Sequence, residues 1–110
     1  MTERVVRTTA TADAQVRVIH AWWVENRTAA PNLFASEFAH AVSLLASAPL
    51  IGKRYQGSGV RGVRRYLLRA TRCHVYYIVS GDEILLLSVW GAVRGTTPDL
   101  KAILATDQDR

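Results

Sequence analysis

The sequence predicts an α+β domain with elements in the order β-α-α-β-β-β, in which an antiparallel sheet is backed by a two-helix hairpin. Apolar residues recur at helical spacing over the first part of the chain, whereas runs rich in Val, Ile, Leu, Tyr and Trp fill residues 63–70, 73–80 and 84–90. The segments between these runs, 71–72 and 81–83, are too short to hold crossover helices. The three strands must therefore be antiparallel neighbours, with the helices packed on one side of a twisted sheet.

The helix hairpin is predicted to follow a short edge strand at residues 4–8. Its first helix has an apolar stripe at spacings of four, three and four and ends near Asn26. The stripe consists of Ala12, Val16, Ile19 and Trp23. Pro31 suits the first turn of the second helix, which stops at Ala48-Pro49. Its buried face is predicted to hold Phe34, Phe38, Ala41, Val42 and Leu45.

The overall composition limits the class of protein. The 110 residues suit a single domain, which we place at residues 1–105, with a frayed polar tail at 106–110. No apolar run approaches the roughly 20 residues of a membrane-spanning helix, and the N-terminal residues lack a hydrophobic signal core. The single cysteine, Cys73, excludes an internal disulfide. We expect a cytoplasmic protein without a membrane partner, a cofactor or a metal, since His20 and His40 lie on separate helices with no Cys or carboxylate cluster at ligand spacing.

One segment, residues 53–72 (KRYQGSGVRGVRRYLLRATR), concentrates positive charge. It holds seven cationic side chains and no acid, in a chain whose formal net charge is +5. Between Glu37 and Asp82 there is no carboxylate at all. Arginine, which outnumbers lysine twelve to two, offers a planar fork of donors that suits phosphate or carboxylate groups. The segment predicts a polyanionic or acidic partner; the alternative is a solvated charged face.

The order and spacing of several short motifs resemble the RelE/ParE superfamily of toxins from type II toxin–antitoxin modules. The similarity covers about residues 12–98. Its motifs are Ala48-Pro49 with Gly52, Gly59-Val60-Arg61, the basic strand at 63–68, the strand at 74–79, the Gly81-Asp82 turn, and residues 84–95 (ILLLSVWGAVRG).

The resemblance implies a small basic bacterial protein that arrests growth and is held inactive by a cognate antitoxin. From the charge of the chain we expect an acidic antitoxin segment that orders as it folds over the helix hairpin and the sheet rim. The target is either DNA gyrase, as in ParE-like toxins, or the ribosome and its mRNA, as in RelE-like toxins. The predicted target-binding patch consists of Lys53, Arg54, Arg61, Arg64, Arg65, Arg69 and Arg94, with aromatic contacts from Tyr76 and Trp90.

The residues favour the ParE-like branch. RelE-like cleavage of mRNA needs a group that accepts the proton of the 2′-OH, cations for the phosphorane and an acid for the leaving oxygen. The catalytic candidates are His74, Arg72 and Arg94, but no Tyr or His follows Arg94 to supply the late acid or base. The ParE-like sequence pattern requires no acid or base. The residues that meet it here are Arg61, Tyr76, Tyr77, Trp90 and Arg94. We therefore predict a gyrase poison without chemistry of its own; the alternatives are an mRNA endoribonuclease and a non-toxic nucleic-acid-binding module.

Overall fold

The computed structural model, which describes residues 3–93 and 95–108, has a five-stranded sheet in the order β1-β5-β4-β3-β2. The elements in chain order are β1 (Val5–Thr8), α1 (Ala10–Asn26), α2 (Leu33–Ser47), β2 (Lys53–Arg54), β3 (Arg64–Leu68), β4 (Cys73–Ser80), β5 (Glu83–Gly91) and α3 (Leu100–Gln108). The neighbours β2–β3, β3–β4 and β4–β5 pair antiparallel. The predicted α+β class and the helix hairpin are confirmed.

Side-chain caps fix the position of α1 on the sheet. The Thr9 hydroxyl oxygen accepts a hydrogen bond from the backbone N–H of Ala12 at 3.0 Å, which satisfies one of the free donors of the first turn. The same hydroxyl donates to the carbonyl of Leu87 in β5 at 2.8 Å. Thr9 therefore starts the helix and attaches it to the sheet with one side chain.

The sheet has a core on each face, because consecutive residues of a strand point to opposite faces. A β-bulge interrupts the pairing of β4 with β5 between Tyr76 and Tyr77. Tyr77, which is 0% exposed, joins the core under the hairpin, whereas Tyr76, 1% exposed, joins the core under α3. The hairpin core includes Phe34, Ala41, Leu45, Leu68, Val75, Ile84, Leu86 and Val89. The α3 core includes Val63, Leu85, Leu87 and Leu100. Consecutive tyrosines thus anchor opposite layers of the domain.

The structure corrects the predicted antiparallel sheet at its edges. β1 pairs with β5 in parallel, from Val5 opposite Glu83 to Thr8 opposite Leu86. The two strands lie at opposite ends of the chain, so local sequence patterns do not determine their relative direction. A further two-residue strand, β2, pairs with β3 at the other edge.

Residues 106–108, the first part of the tail predicted at 106–110, belong to a third helix in the structure. Helix α3 continues to Gln108, and the Thr106 hydroxyl donates to the carbonyl of Ala102 at 3.0 Å. Asp99 accepts a hydrogen bond from the N–H of Ala102 at 3.1 Å and caps the helix start. Leu100, Ile103 and Leu104 then cover the second face of the sheet, which keeps the helix ordered. No described helix is long and apolar enough to cross a membrane.

Candidate functional site

Strand pairing separates the cations of the basic segment instead of gathering them on one face. Arg64 lies opposite Tyr77 and Arg65 lies opposite Tyr76. Since those tyrosines belong to different cores, the two adjacent arginines project to different faces of the sheet. The predicted patch therefore becomes two neighbouring surfaces at the end of the sheet where β3 begins.

The first surface lies on the α3 side and combines a cation with aromatic rings. The Arg65 guanidinium carbon is 5.0 Å from the ring centre of Tyr55 and 6.0 Å from that of Tyr76. The two tyrosine rings meet edge to face with their centres 5.1 Å apart. Lys53 lies opposite Arg65 in β2 and is exposed. The stacking holds the Arg65 side chain in place, so its charge is presented with little loss of side-chain entropy on binding.

The second surface is a cavity of about 510 Å³, which we call the loop cavity, lined among others by Arg54, Arg61, Arg64 and Val79. Arg64 Nη1 donates to the carbonyls of Gly52 at 2.7 Å and Leu50 at 3.1 Å. The Arg64 guanidinium is therefore engaged in hydrogen bonds to the loop backbone, whereas Arg54 and Arg61 are exposed. No carboxylate lines this cavity among the residues that the structure describes.

Tyr77 fixes the loop on which these arginines sit. Its hydroxyl donates to the carbonyl of Pro49 at 2.7 Å and accepts from the N–H of Gly52 at 2.9 Å. A Cβ atom on Gly52 would lie 2.5 Å from the Tyr77 oxygen, so the close approach requires glycine. Burial raises the pKa of the Tyr77 hydroxyl, although the hydrogen bond from Gly52 and the charge of Arg64 oppose that shift. Tyr77 thus has a structural role here.

The remaining cations lie at the opposite end of β3, in its turn to β4. Arg72 adopts a left-handed backbone with φ of 60°, the one non-glycine residue to do so in the described part of the chain. Glu37 of α2 holds this turn, because its carboxylate accepts from the N–H groups of Ala70 at 2.8 Å and Thr71 at 3.0 Å and from the Thr71 hydroxyl at 2.6 Å. Arg69 lies beside Glu37 in a shallow cavity, at a distance from the other predicted patch residues.

His74 is the catalytic candidate with a perturbed titration. It lies opposite Trp90 in β5, and its ring centre is 6.0 Å from that of Tyr76. Partial burial, followed by the charges of Arg65 and Arg72, lowers the pKa of the imidazole below its usual value near 6.5. The ring is therefore neutral at physiological pH and can accept a proton or a hydrogen bond. Burial also raises the pKa of the neighbouring Cys73 thiol, which makes it a poor nucleophile.

The other predicted site residues fall in different settings. Tyr76 is buried in the α3 core, where its ring meets that of Tyr55 edge to face and lies 6.0 Å from the Arg65 guanidinium carbon. Trp90 is half-buried, and its indole N–H donates to the carbonyl of Thr96 at 3.0 Å. Arg94, predicted for both the patch and the catalytic set, lies outside the described residues. Within residues 3–93 and 95–108 no group of three or more His, Cys, Asp or Glu side chains could hold a metal ion.

Sequence reasoning missed Tyr55 and Glu37. Tyr55 follows Lys53 by two positions, and the period of a strand would have placed it on the face of Lys53 and Arg65. Glu37 left no local signal, because its partners lie more than thirty positions away in the chain.

Comparison with known proteins bears on the fold. The architecture is the RelE/ParE-like α+β fold that the resemblance implied. A solved chain from the chromosomal ParDE TA system of P. aeruginosa matches with a TM-score of 0.63 over 81% of this chain and 96% of that one, at 21% sequence identity. No family model matches the chain, and no curated protein matches it significantly. The predicted resemblance is thus confirmed in its fold.

Proposed function

We propose that this protein is the toxin of a type II toxin–antitoxin module and that it arrests growth by inhibiting DNA gyrase through protein contacts. The observation that carries the proposal is the cluster of uncompensated cations at the β3 start, on a fold shared with a ParDE TA system chain. Across residues 3–93 and 95–108 the one salt bridge joins Arg7 to Glu83 at 3.1 Å, away from this cluster. The guanidinium groups of Arg54, Arg61 and Arg65 are therefore available to a partner's acidic groups.

The absence of a late acid or base in the sequence favours a binding mechanism over a chemical one. Between Arg94 and Leu100 the sequence holds only a glycine, threonines, Pro98 and Asp99, and no Tyr or His follows Arg94 to donate or accept a proton near neutral pH. A cationic surface with a rigid aromatic anchor, here Arg65 on Tyr55, is suited to occupying a partner's acidic patch.

One observation favours the second candidate, an mRNA endoribonuclease. His74 is neutral, lies near Arg65 and Arg72, and shares a face with Tyr55 and Tyr76. A neutral imidazole between guanidinium groups has the elements to accept a proton beside a phosphate. The candidate lacks the late Tyr or His, so the acid would have to come from a phenol near His74, that of Tyr55 or Tyr76.

The two candidates give different results when expression is induced. A gyrase poison causes growth arrest with gyrase-linked DNA breaks and loss of supercoiling activity in a purified assay, and primer extension shows intact transcripts. Cut transcripts with normal supercoiling would support the endoribonuclease instead. Harmless expression with ordinary salt-sensitive DNA binding would overturn both in favour of a nucleic-acid-binding module.

We further propose that an acidic antitoxin neutralises the toxin in the cytoplasm. A small acidic protein encoded beside this chain is the expected partner, and its co-expression should restore growth. Failure of every neighbouring acidic product to restore growth would contradict this part of the proposal.

A further inference from the structure

The face of α1 that points away from the sheet holds several exposed apolar side chains. Val18 is 69% accessible, and Trp22 and Val24 are each 46% accessible. Ala21 lies between them and is also exposed. At 3.6 residues per turn these four positions span roughly 160° of the helix surface, opposite the stripe that packs on the hairpin core. Grouped exposed apolar residues of this kind mark a surface that a partner covers.

Two opposite charges lie on the same face of α1. Arg17 and Glu25 are exposed, and they stand four positions before and four positions after Ala21. They are about 12 Å apart along the helix axis, too far to pair with each other. The one salt bridge within residues 3–93 and 95–108 joins Arg7 to Glu83 instead. The face therefore presents one cation and one carboxylate at equal distances from its centre.

This arrangement makes the outward face of α1 complementary to itself. If a second copy runs antiparallel with a two-fold axis beside Ala21, residues at equal distances before and after Ala21 lie at the same level in the two copies. Arg17 then lies level with Glu25 of the second copy, and Val18 lies level with its Val24. A strongly acidic partner would instead bring carboxylates to Glu25. The charges therefore favour a second copy of this chain as the occupant.

We infer that this protein forms a two-fold homodimer through the outward face of α1, with Ala21 at the axis and an Arg17–Glu25 pair on each side of it. The charge pairs set the orientation and register of the two helices, whereas burial of the apolar side chains supplies most of the affinity. One helix face per copy is small beside the standard interface of about 800 Å² per partner, so we expect a dimer Kd of roughly 10–100 μM.

The inference does not depend on the proposed function, because a chain with any activity can associate in this way. No residue of α1 lines the loop cavity. Inhibition of a target through Arg54 and Arg61 therefore needs no dimer, and disruption of the dimer should leave it intact.

The test measures the dimer Kd by sedimentation equilibrium of the full-length chain at concentrations up to about 500 μM. Arg17→Glu brings two carboxylates together at each charge pair, and Glu25→Arg brings two guanidinium groups together. Each variant should raise the dimer Kd by about 10-fold or more. In an equal mixture of the two variants both pairs again join opposite charges, so the mixed dimer should form with a Kd within about 3-fold of wild type.

The matched control is Arg54→Glu, which changes the net charge by the same amount as Arg17→Glu but lies at the loop cavity. It should keep the wild-type dimer Kd, so that an effect of net charge alone is separated from an effect at α1.

Recovery in the mixture also separates a broken interface from a damaged helix, because a variant that fails to fold is not restored by the other. A wild-type chain that stays monomeric over this range would overturn the inference, even if an acidic protein binds the same face. A wild-type Kd in either single variant would overturn it as well. So would a mixture that stays monomeric while the wild type dimerises, since the contact would then lie elsewhere.

Discussion

The two ends of the central strands leave different chemistry uncovered. Where β3 begins, Arg54, Arg61 and Arg65 face solvent around a loop held by Tyr77. Where β3 turns into β4, the open surface is an apolar groove of about 850 Å³ between α1 and the sheet, with Trp22 and Val18 of α1 along one wall. The first end is charged over a braced loop, and the second is apolar with charge only at its rim.

The difference teaches how one small sheet can offer two distinct surfaces. Partners that recognise charge gain rate and specificity from the first end, whereas burial of apolar area at the second end gives the larger share of affinity. Substitutions at either end test this contrast, first through target inhibition and then through stability, with the larger effects taken first.

The largest effect on function is expected from reversing charge at the loop cavity. Arg54→Glu with Arg61→Glu changes the formal net charge from +5 to +1, two units for each substitution. Loss of two charge-assisted contacts at about 1.5 kcal/mol each corresponds to roughly 100-fold weaker target inhibition. The loss of target inhibition is measured by growth after induction and by the inhibition of purified gyrase.

A matched control makes the same change in charge elsewhere. Arg17→Glu with Arg69→Glu alters exposed positions away from the loop cavity, so growth arrest should persist. Equal loss of activity in both double variants, each with the wild-type melting temperature, would mean that net charge matters and its location does not.

Truncating an aromatic side chain is expected to cost more stability in the hairpin core than at the wall of the groove. Phe34 is fully buried, and Phe34→Ala should lower the free energy of unfolding by about 3–5 kcal/mol. Trp23 packs on the same core but is only partly buried and lines the groove, so Trp23→Ala should cost about 1–3 kcal/mol. Urea denaturation gives both values. An equal cost for the two variants would show that the groove wall is as well packed as the core.

A smaller effect is expected from the carboxylate that braces the groove end. Glu37→Ala removes the acceptor of three hydrogen bonds and leaves the N–H groups of Ala70 and Thr71 without it, for a cost of about 2–3 kcal/mol. Ser36→Ala, at the exposed neighbouring position, serves as the control. Unchanged stability of Glu37→Ala would show that the β3–β4 turn holds without this contact.

Local sequence patterns predicted most of the fold, and the features that they did not predict have identifiable physical causes. Apolar stripes and runs predicted α1, α2 and the three long strands because both periods depend on residues close in sequence. The sequence also contains a helix pattern for α3 that the prediction overlooked. Asp99 is an N-cap residue, and Leu100, Ile103 and Leu104 follow it at helical spacing. The parallel pairing of β1 with β5 had no such signal, since it is decided by contacts between distant parts of the chain.

The candidate site was predictable in composition but not in arrangement. A run of arginines indicated an acidic partner, yet strand alternation sends Arg64 and Arg65 to opposite faces and the β3–β4 turn carries Arg69 and Arg72 to the far end. The groove was not predictable, because it forms between α1 and a strand end that only the tertiary fold brings together.

The smallest effect, and the one that links both ends, concerns His74. Burial lowers its pKa, and Arg65 at one end and Arg72 at the other lower it further, in that order. Because the folded state binds its proton less readily than the unfolded state, the contribution of His74 to stability is complete above the unfolded-state pKa near 6.5. It is lost as the pH falls below that value toward the folded-state pKa. His74→Gln should therefore lose less stability than wild type between about pH 7.5 and about pH 5. NMR titration sharpens the comparison of the two ends: Arg65→Gln should raise the pKa of His74 more than Arg72→Gly does, and the opposite ranking would place His74 in the field of the groove end instead.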